Sequence, residues 1–164
     1  MILIDNSITD DLYQKCVNEL NEKLSQDCWI SSSLNWNSNV KIGVNGSCMI
    51  TPVSNTIHNL LKNELKPSLP KHKELEFNYY VWEPQSGISW HTDKLPGRLF
   101  GATLYLNEEW FPNDGGWFIW EDKNGYHTIL PKKKFLVVND NDEFHCVTPV
   151  SLGFRCSIQI WGFS

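Results

Sequence analysis

The segment Ser89-Trp90-His91-Thr92-Asp93 sets an imidazole and a carboxylate two residues apart, around a β-branched Thr. In a strand, alternate side chains share a face, so His91 and Asp93 would converge on one point. A third ligand must then come from elsewhere in the chain. His145, in Glu143-Phe144-His145-Cys146-Val147, is the best candidate. Two imidazoles and one carboxylate, with further coordination positions open, form a facial donor set suited to Fe(II). A buried carboxylate of this kind needs a metal or a partner to be tolerated. The His-x-Asp spacing alone is weak, since a surface His and a turn Asp produce it too.

The segment after His145 strengthens the reading. It runs Thr148-Pro149-Val150-Ser151-Leu152-Gly153-Phe154-Arg155 and opens the last strand of the chain. In that strand Arg155, Ser157, Gln159 and Trp161 alternate onto one face, and Cys156, Ile158 and Ile160 onto the other. The first face is unusually polar for an inner surface, which a ligand pocket explains. A buried Arg there could clamp a carboxylate bidentately. Open metal positions beside such a clamp point to a chelating keto acid as cosubstrate.

Elements must carry these residues to one place. Met1-Ile2-Leu3-Ile4 reads as a first strand that meets Asp5 at once, too short for a signal sequence. Thr9 caps a helix over residues 10–25, with Leu12, Cys16, Val17, Leu20 and Leu24 at helical spacing. Ser54 caps a second over residues 55–66, with Ile57, Leu60, Leu61 and Leu65 on its apolar side and Pro67 and Pro70 beyond. Between them, residues 28–53 read as a long polar loop holding Trp36, with a short strand at 40–44, and as either a lid or a plain connection. From Leu75 onward strands are predicted at 75–82, 87–93, 99–106, 116–121, 125–130, 134–140, 143–148 and 154–163, with Gly, Pro and Asn turns between them. The fold class is therefore mainly β, a double-stranded β-helix or jelly roll with the N-terminal helices packed on one sheet. One domain of residues 1–164 is expected, with helical support and loop in 1–74 and the jelly-roll core in 75–164. His58 and His72 read as surface residues, and His127 as structural or exposed.

Composition narrows the function classes. The chain has 164 residues and a net charge of −5, with a pI near 5.5. Its basic run, Lys132-Lys133-Lys134, reads as a solvated turn, so a nucleic-acid partner is disfavoured. The five cysteines are scattered, with no C-x-x-C pair, and read as reduced thiols of a cytoplasmic protein. No apolar run reaches membrane-spanning length. Asn45-Gly46-Ser47 is a glycosylation sequon in form only. Oligomeric state is not legible.

Taken together, His91-Thr92-Asp93, Thr103-Leu104-Tyr105-Leu106-Asn107, Asn113-Asp114-Gly115-Gly116 and His145…Pro149-Val150…Gly153-Phe154-Arg155 resemble the Fe(II)/2-oxoglutarate-dependent dioxygenases, and within them the prolyl-4-hydroxylase-like branch. The resemblance covers residues 77–163, in family order. It implies that His91, Asp93 and His145 are the metal ligands and catalytic residues. It implies Fe(II), 2-oxoglutarate as cosubstrate, O2, and ascorbate as reductant. By the same resemblance Arg155 and Tyr105 hold the far carboxylate of 2-oxoglutarate, and Arg98 and Trp161 lie on the substrate side. The family's cosubstrate-contacting Tyr on the strand before the His-x-Asp motif corresponds here to Trp82 or, next along the same face, to Tyr80. Trp offers one donor and no acceptor, so either Tyr80 makes that contact or the pocket is built differently. The implied activity is hydroxylation of a C–H bond with release of succinate and CO2, on a prolyl residue of a protein or peptide. Two alternatives stand beside it: the same cofactors acting on a free amino acid, small metabolite or nucleic-acid base, or a non-catalytic metal-binding jelly-roll module.

Overall fold

A computed structural model describes residues 1–26, 29–31 and 43–164. Among these, a seven-stranded antiparallel sheet faces a five-stranded one, with two helices on the outer face of the larger sheet. The strands are β1 (Ile2–Ile4), β2 (Ile30–Ser31), β3 (Val44–Asn45), β4 (Cys48–Pro52), β5 (Glu74–Trp82), β6 (Gly87–His91), β7 (Arg98–Tyr105), β8 (Phe118–Asp122), β9 (Gly125–Ile129), β10 (Leu136–Asp140), β11 (His145–Val147) and β12 (Arg155–Phe163). The large sheet runs β1-β10-β7-β12-β5-β4-β2 and the small one β3-β6-β11-β8-β9. This is the expected jelly roll with helical backing.

Helix α1 (Asp10–Leu24) starts where Thr9 accepts a hydrogen bond from the Leu12 N–H, and α2 (Asn55–Leu65) where Ser54 accepts one from the Ile57 N–H. Both caps satisfy orphan N–H groups of the first turn. Leu12, Cys16 and Leu20 of α1 and Ile57, Leu61 and Leu65 of α2 pack on Phe77, Tyr79, Val81, Leu104, Ile158 and Ile160. Strand alternation makes this possible, because each of these sheet residues sits between neighbours that point the other way. The opposite face packs against the small sheet through Tyr80, Trp82, Tyr105, Phe118, Trp120 and Val147.

The stretch 28–53 departs from the expected loop. Residues 27–28 and 32–42 lie outside the described residues, and the lid reading and most of the predicted 40–44 strand lie there with them. The remainder is partly sheet. β4 pairs along β5 from Cys48↔Trp82 to Pro52↔Asn78, and β2 pairs with β4. β3 adds to β6. Ser47 and Pro52 bracket β4 closely, and its side chains mix apolar and polar types, so the alternation signal is weak. With β1, four strands from residues 1–74 join the two sheets, so that region supplies more than helical support.

Candidate active site

The two candidate histidines are cross-strand partners. β11 pairs with β6 in the small sheet, and His145 stands directly opposite His91. Their ring centroids are 4.4 Å apart. Each ring is held from behind. His91 Nδ1 lies 2.8 Å from the Ser89 carbonyl oxygen, and His145 Nδ1 lies 2.8 Å from that of Glu143. A carbonyl only accepts, so each Nδ1 carries the proton and each Nε2 is left as a free donor atom. Phe118 stacks on the His145 ring at 5.1 Å and 21°. Burial, and then the nearby His145, hold the His91 pKa below the ordinary histidine value. Both effects favour the neutral ring that a metal ligand requires.

Asp93 completes the group, but not by strand alternation. β6 ends at His91, and residues 92–95 are irregular. The β11 ladder begins at the His145–His91 pair, so the chain beyond His91 has no backbone partner there. The turn into β7 instead carries the carboxylate over the two rings. Asp93 Oδ1 lies 3.7 Å from His91 Nε2, and Oδ2 lies 3.5 Å from His145 Nε2. Both separations are longer than a good hydrogen bond. The three donor atoms lie within 4.8 Å of one another, with side chains 14 %, 10 % and 5 % exposed. Among the described residues this is the group of His, Cys, Asp and Glu side chains that could hold a metal ion.

The trio lines a cavity of about 430 Å³ between the two sheets. Arg155, at the start of β12 and 2 % exposed, lines it as well. Its Nη2 donates to the Tyr105 hydroxyl at 3.2 Å, and its buried Nε has no hydrogen-bond partner among the described residues. An unpaired guanidinium donor buried in a cavity wall suits a carboxylate ligand, which would supply the missing acceptor. Tyr105 is fully buried and reaches the cavity through Arg155 rather than lining it. Gly116 does more than mark a turn. It has φ +62°, and a Cβ there would lie 2.9 Å from Arg155 Cδ, so its bareness leaves room for the Arg155 stem.

The other candidates fall on the same cavity. Tyr80 and Trp82 both line it, as alternation on β5 requires. Tyr79 points the other way, and its hydroxyl donates to the Cys16 carbonyl at 3.1 Å. Arg98 is the first residue of β7 rather than a loop residue, and its Cζ sits 3.7 Å from the centre of the Trp161 ring. Its Nη1 donates to the Asp93 carbonyl oxygen at 3.1 Å. His58 and His72 are half-buried instead of on the surface. The first lies 3.2 Å from the Leu75 carbonyl oxygen and edge-on to Phe77, and the second 2.7 Å from the Pro70 carbonyl oxygen. His127 stays out of the site, 2.9 Å from Asp122.

Sequence reasoning missed Glu76, Asn78, Thr103 and Asn139, which also line the cavity. Polar residues at alternate positions of β5 were a usable signal. Asn139 lies in the predicted 134–140 strand, but as one polar residue beside its Asn-Asp end it gave no sign of a role in the site.

The sequence model of the 2OG-Fe(II) oxygenase superfamily matches residues 75–163, just over half the chain. The chain belongs to that superfamily. The oxygenase is thus a 2-oxoglutarate-dependent dioxygenase, and the family implies Fe(II) and 2-oxoglutarate, which the His-Asp-His group and the unpaired Arg155 donor fit. No curated protein matches it in sequence. Its fold is similar to that of a prolyl-4-hydroxylase from Pseudomonas putida, with TM-score 0.78 and 19 % identity over 99 % of this chain and 92 % of that one. It is also similar to a prolyl hydroxylase from Trichoplax adhaerens in complex with a hypoxia inducible factor oxygen degradation domain peptide fragment, with TM-score 0.77 and 16 % identity over 99 % and 82 % of the two chains. A viral collagen prolyl hydroxylase from Paramecium Bursaria Chlorella virus-1, in a 2OG complex, follows at TM-score 0.61 and 16 % identity, covering 98 % and 93 %. No helix of the described residues is long and apolar enough to cross a membrane.

Proposed function

We propose that this oxygenase hydroxylates a prolyl residue of a protein or peptide, with His91, Asp93 and His145 as iron ligands and Arg155 as the anchor for the far carboxylate of 2-oxoglutarate. The carrying observation is that one cavity holds both the His-Asp-His group and a buried guanidinium whose Nε has no partner among the described residues. Bound iron, with 2-oxoglutarate and O2, supplies the oxidation of the substrate C–H bond, with release of succinate and CO2 and with ascorbate as reductant. The chain's own residues do the positioning. The carbonyls of Ser89 and Glu143 hold the two imidazoles in the tautomer that presents Nε2. Tyr105 holds Arg155 in place from behind, and Tyr80 offers a hydroxyl on the same cavity wall. Ile88, Phe118 and Val147 give the metal side an apolar lining that keeps water low. Trp161, with Arg98 stacked upon it, forms the wall against which a pyrrolidine ring would lie. A peptide partner accords with the Trichoplax adhaerens protein, whose structure contains a peptide fragment.

The experiment is direct. Iron-loaded protein is given 2-oxoglutarate, O2 and a panel of Pro-containing peptides, and succinate and peptide mass are followed together. A peptide product heavier by one oxygen, formed in step with succinate, is expected. Succinate release that no peptide stimulates overturns the prolyl-peptide reading.

One observation favours a second substrate. Glu76, opposite Trp161 on β5, and Arg98, stacked on that Trp, put a carboxylate and a guanidinium on one cavity. That pair matches the ammonium and carboxylate of a free amino acid. Free proline and other amino acids therefore belong in the same panel.

A further inference from the structure

We propose that Asn139 is a positioning residue for the metal-ligand carboxylate, holding one oxygen of Asp93 so that the carboxylate stays over the two imidazoles. The inference rests on the reading of His91, Asp93 and His145 as metal ligands.

Asp93 is the ligand that the sheet does not hold. The two histidines are fixed by the β6–β11 ladder and by their Nδ1 contacts, whereas Asp93 lies beyond the end of β6. Three groups from the other sheet restrain it. Asn139 Nδ2 donates to Asp93 Oδ2 at 3.0 Å. Arg98 Nη1 donates to the Asp93 carbonyl oxygen. Gly101, the cross-strand partner of Asn139, leaves space for the carboxylate and for the Trp161 ring, since a Cβ there would lie 2.8 Å from Trp161 Cζ3, 2.9 Å from Asp93 Oδ2 and 3.3 Å from Asn139 Oδ1.

Asn139 is out of keeping with its strand. β10 is otherwise apolar until its last residue, with Leu136 and Val138 in the helix-side core and Val137 in the inner one. Asn139 is 2 % exposed, on the inner face, and its amide hydrogens go to Asp93 and, at 3.4 Å, to the Asp140 carbonyl. A buried amide on an apolar strand costs stability unless its donors are used. Among the described residues, its side-chain partner is the ligand carboxylate. Tying up a lone pair of Oδ2 biases Asp93 toward binding through one oxygen. That leaves coordination positions open for a chelating cosubstrate.

Metal-free protein is titrated without O2 using Fe(II), and in parallel using Co(II), whose visible absorption reports its coordination. Wild type is compared with Asn139→Ala and with Asn139→Leu, a near-isosteric change that keeps the volume and removes the donor. Thermal unfolding of the metal-free proteins is measured alongside. The expected result is metal binding about 10–100-fold weaker in both variants, with an altered Co(II) spectrum. The metal-free Asn139→Leu protein should melt at or above the wild-type temperature, because an apolar side chain replaces a buried amide. Metal affinity within about threefold of wild type in either variant overturns the proposal, as does a loss of melting temperature without a loss of affinity. Gly101→Ala approaches the same carboxylate from the other side and keeps the test open if β10 does not tolerate substitution. It should weaken metal binding too, and unchanged affinity there counts against the proposal. Failure of the wild-type chain to bind metal would instead overturn the metal-site reading itself.

Discussion

The two faces of the large sheet are made from the same strands and do opposite things. On the helix side, Phe77, Tyr79, Val81, Phe100, Leu104, Ile158 and Ile160 are all buried among apolar neighbours, and the polar tips among them are satisfied. On the cavity side, the residues between them are Glu76, Asn78, Tyr80, Thr103, Asn139, Arg155, Gln159 and Trp161. Two buried donors there, Arg155 Nε and Arg98 Nε, have no partner among the described residues. An unpaired buried polar group costs free energy that a helix-side residue never incurs. The lesson is that the helix face holds the sheet in shape, and the cavity face carries the polar side chains, two guanidinium donors among them without a partner among the described residues. Substitutions should separate the two.

The largest effect is expected on the cavity face. Asp93→Ala should abolish succinate formation, measured on the folded protein. Undiminished succinate formation would remove Asp93 from the metal site. Next comes Arg155→Ala, which deletes one partner of a buried, charge-assisted contact. A loss of about 2–5 kcal/mol, roughly 30-fold or more in the 2-oxoglutarate concentration needed, is expected. An unchanged requirement would mean that another group anchors the cosubstrate. On the helix face the signs reverse. Leu61 is fully buried, and Leu61→Ala should cost about 2–5 kcal/mol of stability, read by denaturant unfolding, with the 2-oxoglutarate and metal affinities of the folded protein unchanged. The smallest effect tests the cap of α2. Ser54→Ala should cost about 1 kcal/mol, a shift of about 2–4 °C in melting temperature. A fall in metal affinity from either helix-side change would show that the two faces are coupled rather than separate.

Legibility followed the same division. β5, β7, β10 and β12 could be placed within two residues, because one face of each is continuously apolar and alternation marks it. The helices were legible from Thr9 and Ser54, which act through bonds three residues away in sequence. β4 was not, because its partner lies far along the chain and its own pattern is short. Asp93 was placed at the right point for the wrong reason, since alternation requires a strand and the strand stops at His91. Tyr105 was matched by resemblance to a carboxylate contact, and in the structure its hydroxyl accepts a hydrogen bond from Arg155 Nη2. Asn139 was placed on its strand, but nothing near it in sequence tied it to Asp93.

What the sequence determined by itself was chemistry with a period: which residues can bind a metal, which strand faces are apolar, and where helices begin. These depend on spacing within a few residues, and spacing is written in the chain. What only the tertiary structure decided was the set of distances between residues far apart in sequence: His91 against His145, Arg155 against Tyr105, and Asn139 against Asp93. Such contacts depend on strand order and on where each ladder stops. Many distant pairings set these together, and no local pattern encodes them.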